Sequence, residues 1–208
     1  MKTFIFCLLV FGVSGIGKRT ANHPNPGGVS ILSVDPAAST INWKAEKTTG
    51  THLGTVMLLS GKLTMHCGRL ATGTIMIDMK TLNVTDLSGS DKKKLENNLK
   101  GDNFFDTEKF PLARVNIISV NHQSEAARHF ITILADVTLH GTTRQIVFTA
   151  DVTKSTVTDF IAQANIDINR RDFNIATDNI KYDTFINNGI HFHVLLTAVE
   201  VKPQITSL

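Results

Sequence analysis

Apolar and polar residues alternate with a period of two along most of this chain. Ile41, Trp43 and Ala45 alternate with Asn42, Lys44 and Glu46, and Ala71, Gly73, Ile75, Ile77 and Met79 with Thr72, Thr74, Met76, Asp78 and Lys80. The second half is cleaner. Ile131, Ile133, Ala135, Val137 and Leu139 oppose Thr132, Asp136 and Thr138, with Leu134 out of step. His140-Gly141-Thr142 punctuates the pattern before Ile146, Phe148, Ala150 and Val152. Phe160, Ala162, Ala164, Ile166 and Ile168 then oppose Gln163, Asn165 and Asp167, and Ile190, Phe192, Val194, Leu196 and Ala198 form a last segment. Successive side chains of a strand point to opposite faces, so each segment buries one side only. About eight such strands are expected, in an all-β antiparallel domain. One-faced strands in that number must either pair two inner faces or close into a barrel.

One stretch departs from this period. Ser88 and Asp91 have the spacing of a capping box, Leu95 and Leu99 lie one helical turn apart, and Gly101 is a good stop. These predict a short helix over 91–100. The loop that follows, Asp102 to Pro111, inserts Phe104, Phe105 and Phe110 between two strand regions.

The N-terminus adds a compartment. Lys2 precedes the apolar run Phe4 to Val13, then the small residues Ser14, Gly15 and Gly17. This is the layout of a secretory signal, and the run is shorter than the roughly 20 apolar residues of a membrane-spanning helix. We read residues 1–17 as a signal peptide, 18–30 as a flexible leader rich in Pro and Gly, and 31–203 as one domain, periplasmic or secreted. No later stretch is apolar for long enough to span a bilayer. Loss of the signal removes Cys7 and leaves Cys67, so the domain needs no internal disulfide, and a buried, inert Cys67 is expected. The net charge of +3 is spread thinly. The run Lys92-Lys93-Lys94, flanked by Asp91 and Glu96, reads as a solvated helix face, which argues against nucleic acid as a partner.

Candidate chemistry is sparse. His191 and His193 have a spacing that can bind zinc, with His52, His66, His129 and His140 scattered elsewhere, but no third ligand is evident. His66 and Cys67 are neighbours on the chain and would face opposite sides of a strand, which argues against a thiol dyad. No Gly-x-Ser-x-Gly elbow is present. No catalytic residue, metal or cofactor is assigned.

Four segments carry a family resemblance in order. Val34-Asp35-Pro36-Ala37-Ala38-Ser39-Thr40-Ile41-Asn42-Trp43 opens with Asp-Pro-x-x-Ser before alternating residues; Leu99 to Pro111 reads Leu-Lys-x-x-Asn-Phe-Phe-Asp-x-x-Lys-Phe-Pro. Leu139-His140-Gly141-Thr142-Thr143-Arg144 and Asn169-Arg170-Arg171-Asp172-Phe173 follow. The chain resembles the YceI-like family of polyisoprenoid- and lipid-binding proteins, from about Val34 to Val201. It departs from that pattern at Asn174, where glycine is usual, and at Asp91, which lacks an accompanying arginine.

The resemblance implies a lipocalin-like antiparallel barrel with one short helix and loop insertion. It further implies a tunnel for an isoprenoid quinone, a polyprenyl phosphate or a fatty chain. Twenty buried carbons would be worth on the order of 16 kcal/mol before ordering costs, so no catalysis is needed to explain such a site. Trp43, Ile75, Ile77, Ile133, Val137, Phe148, Ile166, Phe192 and Leu196 are the candidate lining, or else the filling of a solid core. Phe104, Phe105 and Phe110 either cap the tunnel or staple the helix to the barrel. Arg170 and Arg171 are candidate head-group ligands, with Asp172 as the competing partner. The alternatives are a metal-dependent or isomerase-type enzyme on the same barrel, or a cavity-free β-sandwich that binds another protein. Strand edges leave a homodimer open.

Overall fold

In the computed structural model the period-two segments become nine strands, and residues 28–122, 129–176 and 186–200 are described. The signal and nearly all of the leader lie outside that range. The strands are β1 (Val29–Val34), β2 (Thr40–Lys47), β3 (Gly50–His66), β4 (Arg69–Val84), β5 (Leu112–His122), β6 (Phe130–Leu139), β7 (Thr142–Ser155), β8 (Asp159–Asn169) and β9 (Ile186–Glu200). Helix α1 (Gly89–Lys100) follows β4, and a single 3₁₀ turn (Arg170–Phe173) follows β8. Val29 and Ser30, expected in the leader, already belong to β1.

Every pairing is antiparallel. Neighbours run β2-β9-β8-β7-β6-β5-β4-β3, and β3 returns to β2, closing the sheet. β1 lies in line with β2: it pairs with Lys62 to His66 of β3 and Ala198 to Glu200 of β9, whereas β2 pairs with earlier residues of both. The two short strands share one position, so the barrel has eight. Among the described residues every barrel strand has a hydrogen-bonded neighbour on both sides, although the β7–β8 ladder joins only Ala150–Ser155 to Phe160–Ala164.

The break between β1 and β2 is the Asp-Pro-x-x-Ser segment. Pro36 cannot donate to a ladder. Asp35 Oδ1 instead accepts from the Ala37 and Ala38 amides at 2.9 and 3.2 Å. Ser39 Oγ substitutes for backbone, accepting from the Thr197 amide at 3.0 Å.

Three local expectations are corrected. Ala71 does not share the inner face with Gly73: a register shift between Thr64 and Met65 of β3 turns Leu70 inward instead, 2 % exposed. Cys67 is exposed, because Cys67 and Gly68 are the central residues of the β3–β4 hairpin, both at positive φ (50° and 73°). That is the conformation a two-residue hairpin requires, and it cost the sequence reading its buried thiol. The helix starts at Gly89 with Ser88 as its N-cap, but the Ser88 side chain makes no capping hydrogen bond.

The topology gives the barrel two unlike ends. At the hairpin end lie the β3–β4 and β7–β8 turns and the start of β1. Leu32, Leu63, Met65, Leu70, Ile131 and Phe160 fill it, all at 2 % exposure or less. Two inward glycines let this layer close. A Cβ on Gly73 would stand 2.6 Å from Leu63, and one on Gly61 2.6 Å from Val34. Ser155 Oγ donates to the Gly68 carbonyl at 2.6 Å and Ser30 Oγ to the Val157 carbonyl at 2.7 Å, tying the turns together. At the other end, the helix end, lie α1, the loop 102–111, the β6–β7 turn and the 3₁₀ turn.

Candidate functional site

Between the helix end and the filled hairpin end, the barrel is hollow. The cavity has a volume of ≈ 190 Å³ and is bounded by residues of β2 to β9. Its walls are nearly all hydrocarbon: Ile77, Val115, Val137, Phe148, Ile166, Phe192 and Val194 face it, each half-buried. Leu70 and Phe160 lie toward the hairpin end of its lining. Leu99, Phe104, Phe105 and Arg170 border it toward the helix end. Strand geometry explains the lining, since β6 and β8 each aim every second residue at the lumen.

Of the sequence candidates, Trp43, Ile75, Ile77, Ile133, Val137, Phe148, Ile166, Phe192 and Leu196 all border the cavity, as do Phe104, Phe105 and Arg170. Two do not. Phe110 lies over Gly141, where a Cβ would stand 2.5 Å from its ring, and meets His140 edge-on at a centroid distance of 4.9 Å. Arg171 is on the surface, its Nε donating to Asn188 Oδ1 at 3.1 Å. A 3₁₀ turn rotates successive side chains by about 120°, so Arg170 is buried while Arg171 stays on the surface. Val56, Leu58, Met79, Val115 and Ile117 also line the cavity and were missed. Met79 lies on the apolar face already read for its strand, Val115 and Ile117 alternate with Arg114 and Asn116, and Val56 and Leu58 sit in an apolar run whose outward residues, Met57 and Leu59, mask the alternation.

Trp43 is seated by Gly54, whose missing side chain leaves room for the indole (a Cβ would lie 2.2 Å from the ring), and Trp43 Nε1 donates to the Thr55 carbonyl at 3.2 Å. A buried indole thereby satisfies its one donor without a polar group in the lumen.

The helix end is built from three of the four motif segments. Phe110 from the Lys-Phe-Pro reading packs on Gly141 of the β6–β7 turn. His140 Nδ1 lies 3.3 Å from the Phe173 carbonyl oxygen, and Asn174 Nδ2 donates to Thr142 Oγ1 at 3.2 Å. Asn174 holds the left-handed conformation (φ 55°, ψ 34°), which asparagine tolerates where glycine is usual. Arg170, 1 % exposed, donates from Nη1 to the carbonyls of Ile175 and Ala176 at 3.0 and 2.9 Å, fixing the segment behind the 3₁₀ turn.

A second tie joins the β2–β3 hairpin to the end of β4. Asp86 Oδ1 accepts from the Leu53 amide at 2.9 Å and Oδ2 lies 2.8 Å from His52 Nδ1. Burial raises the Asp86 pKa, but these hydrogen bonds outweigh it and hold the carboxyl below its ordinary range. Helix α1 is anchored nearby by Glu96, whose Oε1 accepts from the Val84 amide at 2.8 Å.

His191 and His193 lie on the outer wall, exposed, with Nδ1 at 2.6 Å from Asp167 Oδ1 and 2.9 Å from Asn165 Oδ1. Among the described residues, no group of three or more His, Cys, Asp or Glu side chains is arranged to hold a metal ion. No helix among them is long and apolar enough to cross a membrane.

Residues 32–202 match the YceI-like domain family. No curated protein matches the sequence. Among solved structures, the chain is similar to Burkholderia cenocepacia BcnA (16 % identity, TM-score 0.65, covering 80 % of this chain and 99 % of that one). It is also similar to a polyisoprenoid binding domain from Saccharophagus degradans implicated in plant cell wall breakdown (18 %, TM-score 0.63, covering 82 % and 98 %). A Campylobacter jejuni YceI protein shares the fold at 15 % identity and TM-score 0.53, covering 97 % and 92 %.

Proposed function

The chain belongs to the YceI-like family, and from that premise we propose that it is an exported, non-catalytic binding protein holding the apolar chain of an isoprenoid or fatty ligand inside its barrel. The observation that carries this reading is the hydrocarbon-lined void of ≈ 190 Å³ in an interior that could have been filled. A cavity without polar partners stays dry, and an engineered apolar cavity of about 150 Å³ already takes benzene. An empty one forfeits the dispersion contacts of its lining, a cost that a bound chain removes. The printed description of the Saccharophagus degradans domain as polyisoprenoid-binding supports the same class. Toward the helix end Arg170 borders the cavity, so a polar head belongs there and the tail points to Leu70 and Phe160. The apolar run and small residues of 1–17 support export to the periplasm or beyond.

The test is extraction of the purified protein with organic solvent, followed by mass spectrometry of the extract and metal analysis of the protein. One equivalent of an isoprenoid or fatty-chain compound is expected. Stoichiometric zinc with no lipid, or a protein that stays empty in the presence of such lipids, sinks the reading.

A further inference from the structure

We propose that ligands enter and leave this barrel sideways, through a seam between β7 and β8 that the segment Arg170 to Ala176 plugs. The inference rests on the binding reading above and adds to it the route. It starts from the ladders. β7 is bonded to β6 from Thr142 to Asp151, and β8 to β9 along its whole length, Asp159 to Asn169. β7 and β8 are bonded to each other only from Ala150 with Ala164 to Ser155 with Phe160. Among the described residues, no ladder joins Thr142 to Thr149 of β7 with Asn165 to Asn169 of β8. Each strand is thus held by its outer neighbour while the wall between them is unzipped toward the helix end. Water satisfies the backbone groups along such a seam, so parting the strands there breaks no ladder.

The seam lies at the level of the void. Ile146 and Phe148 of β7 and Ile166 of β8 flank it, line the cavity and are only half-buried. A second short ladder, β4–β5, ends at Gly73 with Ile117 and frays toward the hairpin end. There Leu70 and Ile117 are at most 4 % exposed, and His122 Nε2 lies 2.8 Å from the Leu70 carbonyl oxygen. That break faces packed side chains, whereas the β7–β8 break faces empty space.

The ends of the barrel are shut. The hairpin end is filled, and at the helix end Phe104, Phe105 and Ile175 are at most 8 % exposed. The segment leaving β8 turns back over the wide end of the seam. Its 3₁₀ turn touches β7, β8 and β9, and Asn174 Nδ2 ties it to Thr142 Oγ1 of β7. Arg170 Nη1 holds the carbonyls of Ile175 and Ala176, both buried. A plug fixed by side-chain hydrogen bonds opens locally at less cost than a strand ladder. A seam in the wall admits an apolar chain along its length, and no polar head has to pass the capped end.

The test staples the seam. Extending the β7–β8 register sets Thr149 opposite Asn165, both exposed. Thr149→Cys with Asn165→Cys, in a Cys67→Ser background, is oxidised, or bridged by a short bismaleimide where the sulfurs stand too far apart. Stopped-flow fluorescence then follows a conjugated-polyene fatty acid, which brightens out of water, into and out of the delipidated protein. Loading and release should both slow about tenfold or more, with Kd within about twofold, and reducing the disulfide should restore the rates. Unchanged rates in the stapled protein overturn the seam and leave the binding reading intact. A wild type that takes up none of the fatty acid overturns the binding reading, and the route with it.

Two further measurements stand if the stapled variant does not fold. Asn174→Gly keeps the left-handed turn but drops the tie to Thr142, and should speed release about threefold or more. Release no faster than wild type refutes the plug. In the wild type, amides of Thr143 to Thr149 and Asn165 to Asn169 that face the seam should exchange faster than those of the β5–β6 ladder. Equal protection refutes the seam.

Discussion

The hairpin end and the middle of this barrel are made from the same kinds of residue and behave oppositely. At the hairpin end Leu32, Leu63, Met65 and Ile131 are at most 2 % exposed. Halfway up, Ile77, Val137, Phe148 and Phe192 are equally apolar and equally inward, yet each is only partly covered because it faces the void. What separates them is what crosses the lumen. Near the hairpin end β1 adds Val34 and Leu32, Gly61 of β3 makes room for Val34, and Gly73 of β4 makes room for Leu63. In the middle no side chain reaches far enough from any strand. Composition therefore does not distinguish core from site; the side chains that cross the lumen, and the glycines that admit them, do.

The largest expected effect tests that contrast directly. Leu63→Ala should cost about 3–5 kcal/mol, because a close-packed layer collapses little around a new cavity. Ile77→Ala should cost only about 1–2 kcal/mol, since part of its surface already faces empty space. Urea denaturation of both variants measures the difference. Similar losses would erase the distinction between the filled and hollow regions.

A middle-sized effect probes whether the helix end is a separate cooperative feature. Gly141 has φ 71° and receives the Phe110 ring, so Gly141→Ala introduces both backbone strain and a clash. A loss of about 1–3 kcal/mol is expected, with faster amide exchange at the β6–β7 turn and around Phe173. Loosening that appears instead around Gly68 would show that the two ends are mechanically one.

The smallest effect concerns pH. The Asp86 carboxyl sits below its ordinary value of 3.8 in the folded protein, despite burial pulling the other way, because the Leu53 amide and His52 hydrogen-bond to it. A carboxyl lowered by folding contributes stability above the unfolded pKa and loses it as pH falls through the folded one. Asp86→Asn should therefore cost a few tenths to about 1 kcal/mol at pH 7 and almost nothing by about pH 2. Urea midpoints of both proteins at the two pH values check this, and a gap that persists in acid would remove the carboxylate's charge from the account. Asp159, at the hairpin end, is lowered by Thr158 and then by Lys154, but lies in the open, so salt should blunt its contribution first.

Much of the fold was legible because strands with one buried face announce themselves. Ile131 to Leu139 and Phe160 to Ile168 declared their inner faces by alternation, and the lining candidates on them do border the cavity. The helix was visible through Leu95, Leu99 and Gly101, and its observed span, Gly89–Lys100, differs only at the N-terminus. Illegibility began wherever the period slipped. Ala71 was misplaced by a bulge and Cys67 by a hairpin whose tip carries no Asn or Asp to mark it. Val56 and Leu58 were hidden in an apolar run, Val56-Met57-Leu58-Leu59, whose outer members are exposed. Phe110 looked like its neighbours Phe104 and Phe105, and nothing short of the β6–β7 turn beside it separates their roles.

By itself the sequence determined which faces are apolar, that they belong to antiparallel strands in numbers that must pair or close, and where the chain turns. Those properties are local, fixed by side-chain alternation and by the few residues that favour turns. Only the tertiary structure decided that the inner faces surround a void at one level and meet at another. That outcome depends on registers, on glycines placed opposite large side chains across the lumen, and on the width of a closed sheet. Such distances are set by residues far apart in the chain, and no window along the sequence contains them.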